Sequence, residues 1–315
     1  MIQFHVLSKS MALRIDDIPF QLRAGDIVKH VINIDSRFRE APETSTTSDF
    51  YFRVLTPIRN VLRIRISSIE FPNNYYIFSQ KRRNVSINIV SIVNNSTPPV
   101  ICNITIPDGN YSAYELCDTL NPSIQARFPW LTVTFDQTCG KFTFKTKGNH
   151  PFSVDTVCNE EITYDRPFDY GLGFNMGLSR GFHMAEGPDG SGNYAVISDQ
   201  LSYFAGDAYG FLKINNFDCV RQTTSDSEFT ALAKVILRDP KNFMSFDDYS
   251  SQQAKEVTFP APYDLARFKI QVLDPYGVPV DMGSSQFAFS MEVLEVRNLN
   301  LYNTLRNAFA ADWRL

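Results

Sequence analysis

The chain has 315 residues, with 30 Lys and Arg against 34 Asp and Glu, for a formal charge of −4. That length can bury a core without disulfides or metals, and the charge balance excludes the overall basic footprint of a nucleic-acid-binding protein. No apolar run reaches the ~18 residues of a membrane-spanning helix, and the start, MIQFHVLSKSMALRIDD, is too polar and broken for a secretory signal.

Residues 1–40 read as an arm in which short apolar pieces alternate with charge, and a β-sandwich is expected over 41–296. Period-two alternation begins at FYFRVL (50–55) and continues in NVLRIRISSIE (60–70), where Leu62, Ile64 and Ile66 take one face and Arg63, Arg65 and Ser67 the other. VSINIV (85–90) repeats it with Val85, Ile87 and Ile89 inside, and VICNITI (100–106) follows a Thr-Pro-Pro turn that ends any strand. An insertion is expected from about 107 to 200. Ser112 and Glu115 have capping-box spacing, and Ala113, Leu116, Cys117, Leu120 and Ile124 then recur at helical spacing. Pro122 is expected to kink that helix or to start a second short one. A hairpin follows, LTVTF (131–135) and KFTFK (141–145), with Leu131, Val133, Phe135, Phe142 and Phe144 facing the helix.

Residues 150–207 are rich in Gly, Asp and Tyr and read as long loops with short strands, which in a folded protein carry function or dock on a partner. Strand patterns return at AYGFLKI (208–214), FTALAKVIL (229–237), LARFKIQVL (265–273) and QFAFSMEVLEV (286–296). The end, 297–315, reads as a helical tail with Leu301, Leu305 and Phe309 on one face. The fold class is therefore mainly β: an antiparallel, jelly-roll-like β-sandwich with an inserted helix-plus-hairpin α+β unit, an extended N-terminal arm and a C-terminal helix.

Few strings carry chemistry. Gly177-Leu-Ser179-Arg-Gly181 fits the nucleophile elbow G-x-S-x-G, but no strand–turn–helix context surrounds it and the only later histidine is His183. GLGFNMG (171–177) has its third glycine one residue late for a dinucleotide loop. The histidines at 5, 30, 150 and 183 form no ligand pair, and the five cysteines at 102, 117, 139, 158 and 219 form no C-x-x-C, so buried free thiols are expected. Asp189-Gly-Ser-Gly-Asn193 resembles the start of a calcium loop, but Gln200 stands where the bidentate Glu belongs, so a solvated turn is expected. Five N-x-S/T strings start at Asn84, Asn94, Asn95, Asn103 and Asn110 and read as polar strands and turns. No catalytic, metal or cofactor residues are assigned.

Charge is uneven. Residues 51–90 hold Arg53, Arg59, Arg63, Arg65, Lys81, Arg82 and Arg83 against Glu70, net +6, leaving −10 elsewhere, with an acidic run at 155–169. Such asymmetry suits contact between unlike surfaces or a basic face toward anionic lipid or nucleic acid; its bland alternative is a solvated sheet face.

Over about 31–296 the chain resembles the minor capsid proteins of large icosahedral double-stranded DNA viruses, of the chlorella-virus and nucleocytoplasmic large DNA virus kind. The matching strings are VINIDSRFRE (31–40), DFYFRVLTPIRNVLRIRISSIEFPNNYYIFS (49–79), ITIPDGNYSAYELCDTLN (104–121), LGF (172–174), DAYGFLKINNFD (207–218), FTALAKVIL (229–237) and LARFKIQVLDPYGVPVDMGSSQFAFSMEVLEV (265–296). The resemblance implies a non-enzymatic component of the inner capsid layer of a virion, made in the host cytoplasm without a signal peptide or membrane span. Its implied partners are the major capsid protein in double-jelly-roll capsomers, other minor capsid proteins, further copies of itself and the periphery of an internal membrane, with nucleic acid not expected. Candidate contact residues are Arg63, Arg65, Phe71, Tyr75, Tyr76, Lys81, Arg82 and Arg83, together with Leu301, Leu305, Phe309 and Trp313 of the tail. Two other classes stay open: a jelly-roll module binding glycans or host surfaces, with FDYGLGF (168–174) as its aromatic platform, and a hydrolase acting through Ser179.

Overall fold

A computed structural model describes residues 26–91, 99–157, 171–224, 227–237, 244–247 and 256–303. The chain opens with β1 (Ile27–Asp35), a single 3-10 turn at Ser36–Phe38, and β2 (Asp49–Pro72). It then leaves the main sheet for β3 (Ser86–Ser91), β4 (Val100–Thr105), α1 (Ala113–Gln125), β5 (Leu131–Asp136), β6 (Lys141–Thr146), β7 (Phe152–Asp155), α2 (Gly171–Asn175), β8 (Phe182–Met184) and β9 (Ala195–Ile197). It returns through β10 (Tyr209–Ile214), β11 (Val220–Thr223), β12 (Glu228–Ala231), β13 (Ala233–Ile236), β14 (Met244–Asp247), β15 (Glu256–Leu273) and β16 (Ala288–Val296). The protein is mainly β, and all pairings between these strands are antiparallel.

The large sheet runs β1-β16-β2-β15-β10-β13, with β14 also on β2. It closes over a core by bending, and β2 records the bend. Phe50 and Phe71 of that one strand would stand roughly 70 Å apart if it were straight. Yet their rings lie 5.9 and 6.3 Å from the ring of Phe287. The corner is made by register breaks between β2 and β15, between Thr258 and Tyr263 and again around Leu265, and extra residues in one strand of a ladder turn it sharply. Asn60 sits there at φ 52°, a left-handed conformation that Asn tolerates, and its N–H bonds Asp264 Oδ1 at 3.0 Å. Both arms of the bent sheet then bury residues in one core, including Ile34, Phe50, Ile64, Ile66, Leu212, Ile270, Phe289 and Val293.

A second core belongs to residues 77–204. It packs β3 and β4 with β7 and β8 in one sheet, β5, β6 and β9 in another, and α1 and α2 against them. The capping box closes α1: Glu115 N–H bonds Ser112 Oγ at 3.3 Å, and Ser112 N–H bonds Glu115 Oε2 at 2.8 Å. Leu116, Cys117, Leu120 and Ile124 are buried beneath the helix, and burial pushes the Cys117 thiol up to about 11.

Four sequence expectations change. The arm is shorter than 1–40, because 27–35 is β1, paired without a break to β16; its charges hid the strand. The strands at 85–90 and 100–106 face the second core, which begins at Ile77 and not near 107; alternation tells which face is buried but not against what. FTALAKVIL is two strands split at Leu232, β12 on β11 and β13 on β10, because Leu232 dives into the sandwich core and bonds Leu212 O. Finally, α1 is one helix that continues through Pro122, so no second short helix starts there. Pro122 falls in the last turn, and the side chain of Asn121 beside it bonds both N–H and C=O of Val133 at 2.8 and 2.9 Å, holding the helix to β5.

Candidate interaction site at the neck

The two cores meet where β2 ends, and the first functional candidates of the sequence fall there. Tyr75 is buried. Its hydroxyl donates to Asp207 O at 3.2 Å and accepts from Asp207 N–H at 3.0 Å. The Arg82 guanidinium lies 4.8 Å over the Tyr75 ring and is ion-paired with the Asp207 carboxylate. Both side chains of that pair are mostly shielded, so the charge pair stiffens the neck instead of offering a free cation. Asn74 Nδ2 donates to Ser285 Oγ, and Lys81 reaches Asp281 at 3.2 Å. The Gly283 N–H, with Lys81 adding, holds the Asp281 carboxyl below its usual range.

Under this surface lies a run of asparagines. Asn84 accepts from Ser79 N–H at 2.9 Å and donates to Ile77 O at 2.8 Å and to Asn175 Oδ1 at 3.2 Å. Asn110 accepts from Ile77 N–H at 2.7 Å. Each stands in for backbone where the chain has neither helix nor ladder. Two of the N-x-S/T strings, at Asn84 and Asn110, thus mark the neck. By pattern alone these strings are polar strands and turns, and their Asn-plus-turn composition is the available signal.

Above it, two adjoining cavities of about 430 and 540 Å³ flank the loop 279–284. Asn74, Tyr75, Tyr76, Lys81 and Arg82 line the first; Arg39, Thr46 and Asp49 line the second; Lys81, Asp281 and Met282 border both. Tyr76, Lys81 and Arg83 are exposed, and Arg83 sits in a turn at φ 56°. Phe71 and Tyr75 are both buried, which removes them from the surface-anchor role the sequence suggested: Phe71 packs in the sandwich core, and the Tyr75 ring lies beneath Arg82. Arg63 and Arg65 lie half-buried on the outer face of β2 beside Lys29 and Glu292, with Arg63 3.5 Å from Glu256. Leu301 is half-buried in the helical turn at 299–303, capped by Asn298. Leu305, Phe309 and Trp313 lie outside the described residues.

The basic 51–90 segment is not a free positive face. Arg53 bonds Glu40 at 2.9 Å, and Arg63, Lys81 and Arg82 meet Glu256, Asp281 and Asp207. Four of the seven cations of the segment thus have a carboxylate beside them, and the charge imbalance along the sequence is cancelled in part in space.

The remaining motifs resolve similarly. Ser179 Oγ donates to Asp199 Oδ2 at 2.6 Å, while His183 Nε2 donates to the Ser179 carbonyl at 2.8 Å and its Nδ1 stands 3.6 Å from Asp199. The serine hydroxyl faces a carboxylate, not the imidazole, and α2 precedes it where an elbow needs a strand; this is not triad geometry. The Ser179 bonds hold Asp199 below the usual carboxylate range. Asp189 accepts from the N–H groups of Ser191 and Asn193 at 2.8 and 2.9 Å and faces Lys145 at 3.2 Å, which brings its pKa down to about 2. Its oxygens are committed to donors, so the turn does not present them to calcium. Of FDYGLGF, residues 171–174 form α2, with Gly171, Leu172 and Gly173 buried; 168–170 lie outside the described residues. The glycan platform is not formed by the part described.

Among the described residues, no group of three or more His, Cys, Asp or Glu is placed to hold a metal, and no helix is long and apolar enough to cross a membrane. Cys102, Cys117 and Cys139 carry free thiols, but of the described cysteines only Cys117 is buried, against the expectation of buried thiols: Cys102 is half-buried, and Cys139 and Cys219 are exposed; Cys158 lies outside the described residues.

No protein-family model matches the chain, and no curated protein matches it. Among solved structures, it is similar to the mavirus penton protein, at 8% identity and a TM-score of 0.44, over 85% of this chain and 98% of that chain.

Proposed function

We propose that the chain is a structural, non-enzymatic virion protein: a minor capsid or cement protein beneath a double-jelly-roll shell, which links neighbouring capsomers by surface contact. The observation that carries this reading is the convergence of the strings that resemble the minor capsid proteins. They lie far apart in sequence, yet they build the neck together. Ile77 bonds Asn110, Phe78 and Gly109 exchange backbone hydrogen bonds, Tyr75 bonds Asp207, and Asn74 bonds Ser285. Those strings therefore specify one relation between two cores, which is what a spacer between neighbours requires and what a catalytic pocket does not.

The bent sandwich adds a second support. Residues 26 and 297 are joined by a backbone hydrogen bond at the far end of β16 from the neck. The nine residues of β16 set this pair about 30 Å from the neck. One molecule thus offers contact elements at two separated ends.

Co-sedimentation of the full chain with major capsid protein or capsid fragments tests the proposal. The expected result is binding that is lost when residues 1–25 and 304–315 are removed, cuts that leave β1 whole. A chain that ignores the shell with or without its ends overturns the reading, and a glycan array then tests the alternative class.

A further inference from the structure

We propose that two copies of the chain join edge to edge through β1, in an antiparallel pairing centred on Val31. The inference does not depend on the capsid reading. Among the described strands, β1 lies at the margin of the large sheet and pairs only with β16. The ladder's two ends fix which backbone groups face outward. Ser36 N–H bonds Phe287 O at 3.0 Å and Arg297 N–H bonds Asp26 O at 2.8 Å. Residues 26 and 36 thus aim at β16, and strand periodicity puts the even residues between them on the same side. The N–H and C=O groups of Ile27, Lys29, Val31, Asn33 and Asp35 therefore point away from β16; of these residues Lys29, Val31 and Asn33 are exposed, Ile27 is half-buried and Asp35 is buried.

Marginal strands are usually guarded by charge, proline, a bulge or shortness. Among the described residues, nothing of the kind guards β1. Its register with β16 runs unbroken over nine residues, and it contains no proline. Its two cations are folded back over β16: Lys29 Nζ lies 2.6 Å from Glu292, and His30 Nε2 lies 2.6 Å from Glu295. At the centre of the strand, Val31 is 63% exposed. The opposite margin differs: β13 has only four residues.

The strand is complementary to itself. Pairing about Val31 sets Ile27 opposite Asp35, Lys29 opposite Asn33 and Val31 opposite its own copy. The exposed outward residues Lys29, Val31 and Asn33 then all find partners, no like charges oppose, and the exposed valines cover each other. A slip of register by two residues leaves outward groups unmatched at the ends. The occupant that fits this margin best is a second copy of the same chain.

Sedimentation velocity of the full chain, with three variants, tests this. Residues opposed in such a pair have Cα atoms about 5.5 Å apart, within disulfide range. The two copies of Asn33 are offset by four residues, roughly 13 Å. The parent chain is expected to sediment as a concentration-dependent dimer. Val31→Cys is expected to give an interchain cross-link under mild oxidant, above the parent's background, whereas Asn33→Cys gives none above it. Val31→Lys, at an exposed position that the fold tolerates, is expected to weaken the dimer by about tenfold or more. A parent chain that stays monomeric, an Asn33→Cys variant that cross-links as readily as Val31→Cys, or an unchanged Val31→Lys dimer each overturns the proposal.

Discussion

In the second core, α1, β5 and β6 fall between residues 113 and 146 and pack on one another, so its central contacts are made among near neighbours. The sandwich core is closed instead by β2 and β15, where Phe50 pairs with Ile270, and by β16 lying on both β2 and β1. Loops of very different length must close before each core is rewarded. The second core can form as soon as its own segment exists, while the sandwich waits for residues 256–296. One chain therefore holds a locally specified unit and a globally specified one, tied at a neck.

The largest expected effects break either core alone. Phe144→Ala in the second core and Phe289→Ala in the sandwich each remove a fully buried ring and are expected to cost about 3–5 kcal/mol. Trp130, stacked on His150 at 4.6 Å, reports the second core by fluorescence, and calorimetry reports both. Phe144→Ala should move the Trp130 transition and Phe289→Ala should not. If both variants shift one shared transition equally, the two cores are a single cooperative unit and the comparison fails. A smaller effect is expected from Arg82→Ala, which removes the largely shielded ion pair with Asp207, at about 2–3 kcal/mol. Its signature is a wider separation between the two transitions in a thermal scan. Smaller again is Ser112→Ala, about 1 kcal/mol, confined to the second core because the cap serves α1 only.

The smallest concerns pH. Asp189 is depressed to about 2 by the Ser191 and Asn193 amides and Lys145, so its contribution is present above about pH 4 and is lost as pH falls toward 2. The amide resonances of Ser191 and Asn193 should shift across that window, and Asp189→Asn should abolish the dependence. A titration confined to higher pH would mean that the turn does not hold the carboxylate as described.

The same contrast governs how much the residue pattern foretells. The helix, its cap, the hairpin and the faces of Leu131, Val133, Phe142 and Phe144 were legible because period, cap and turn act over a few residues. The antiparallel sandwich was legible as a class from alternation at 60–70 and 286–296. Which strands share a core was not, since Ile87 and Ile64 alternate alike yet bury in different places. The neck was half legible. Tyr75, Lys81 and Arg82 stood out as a basic, aromatic run, but their acceptors lie 132, 200 and 125 positions away, and no local pattern announces such a pairing. β1 escaped because Lys29, His30 and Asp35 look like a solvated arm until Glu292, Glu295 and Arg37 stand beside them.

The contact between Tyr75 and Asp207 has an evolutionary side. The chain departs from the sandwich after Pro72 and is back in it at Tyr209, and Tyr75 and Asp207 touch across the base of the detour. Departure and return are thus neighbours, and every ladder of the sandwich is formed by strands on one side or the other of the excursion. A genome can lengthen, trade or delete such a cassette in a single recombination without disturbing one rung of the scaffold beneath it. The sandwich can stay constant across lineages while the cassette diversifies to suit whatever it is placed against.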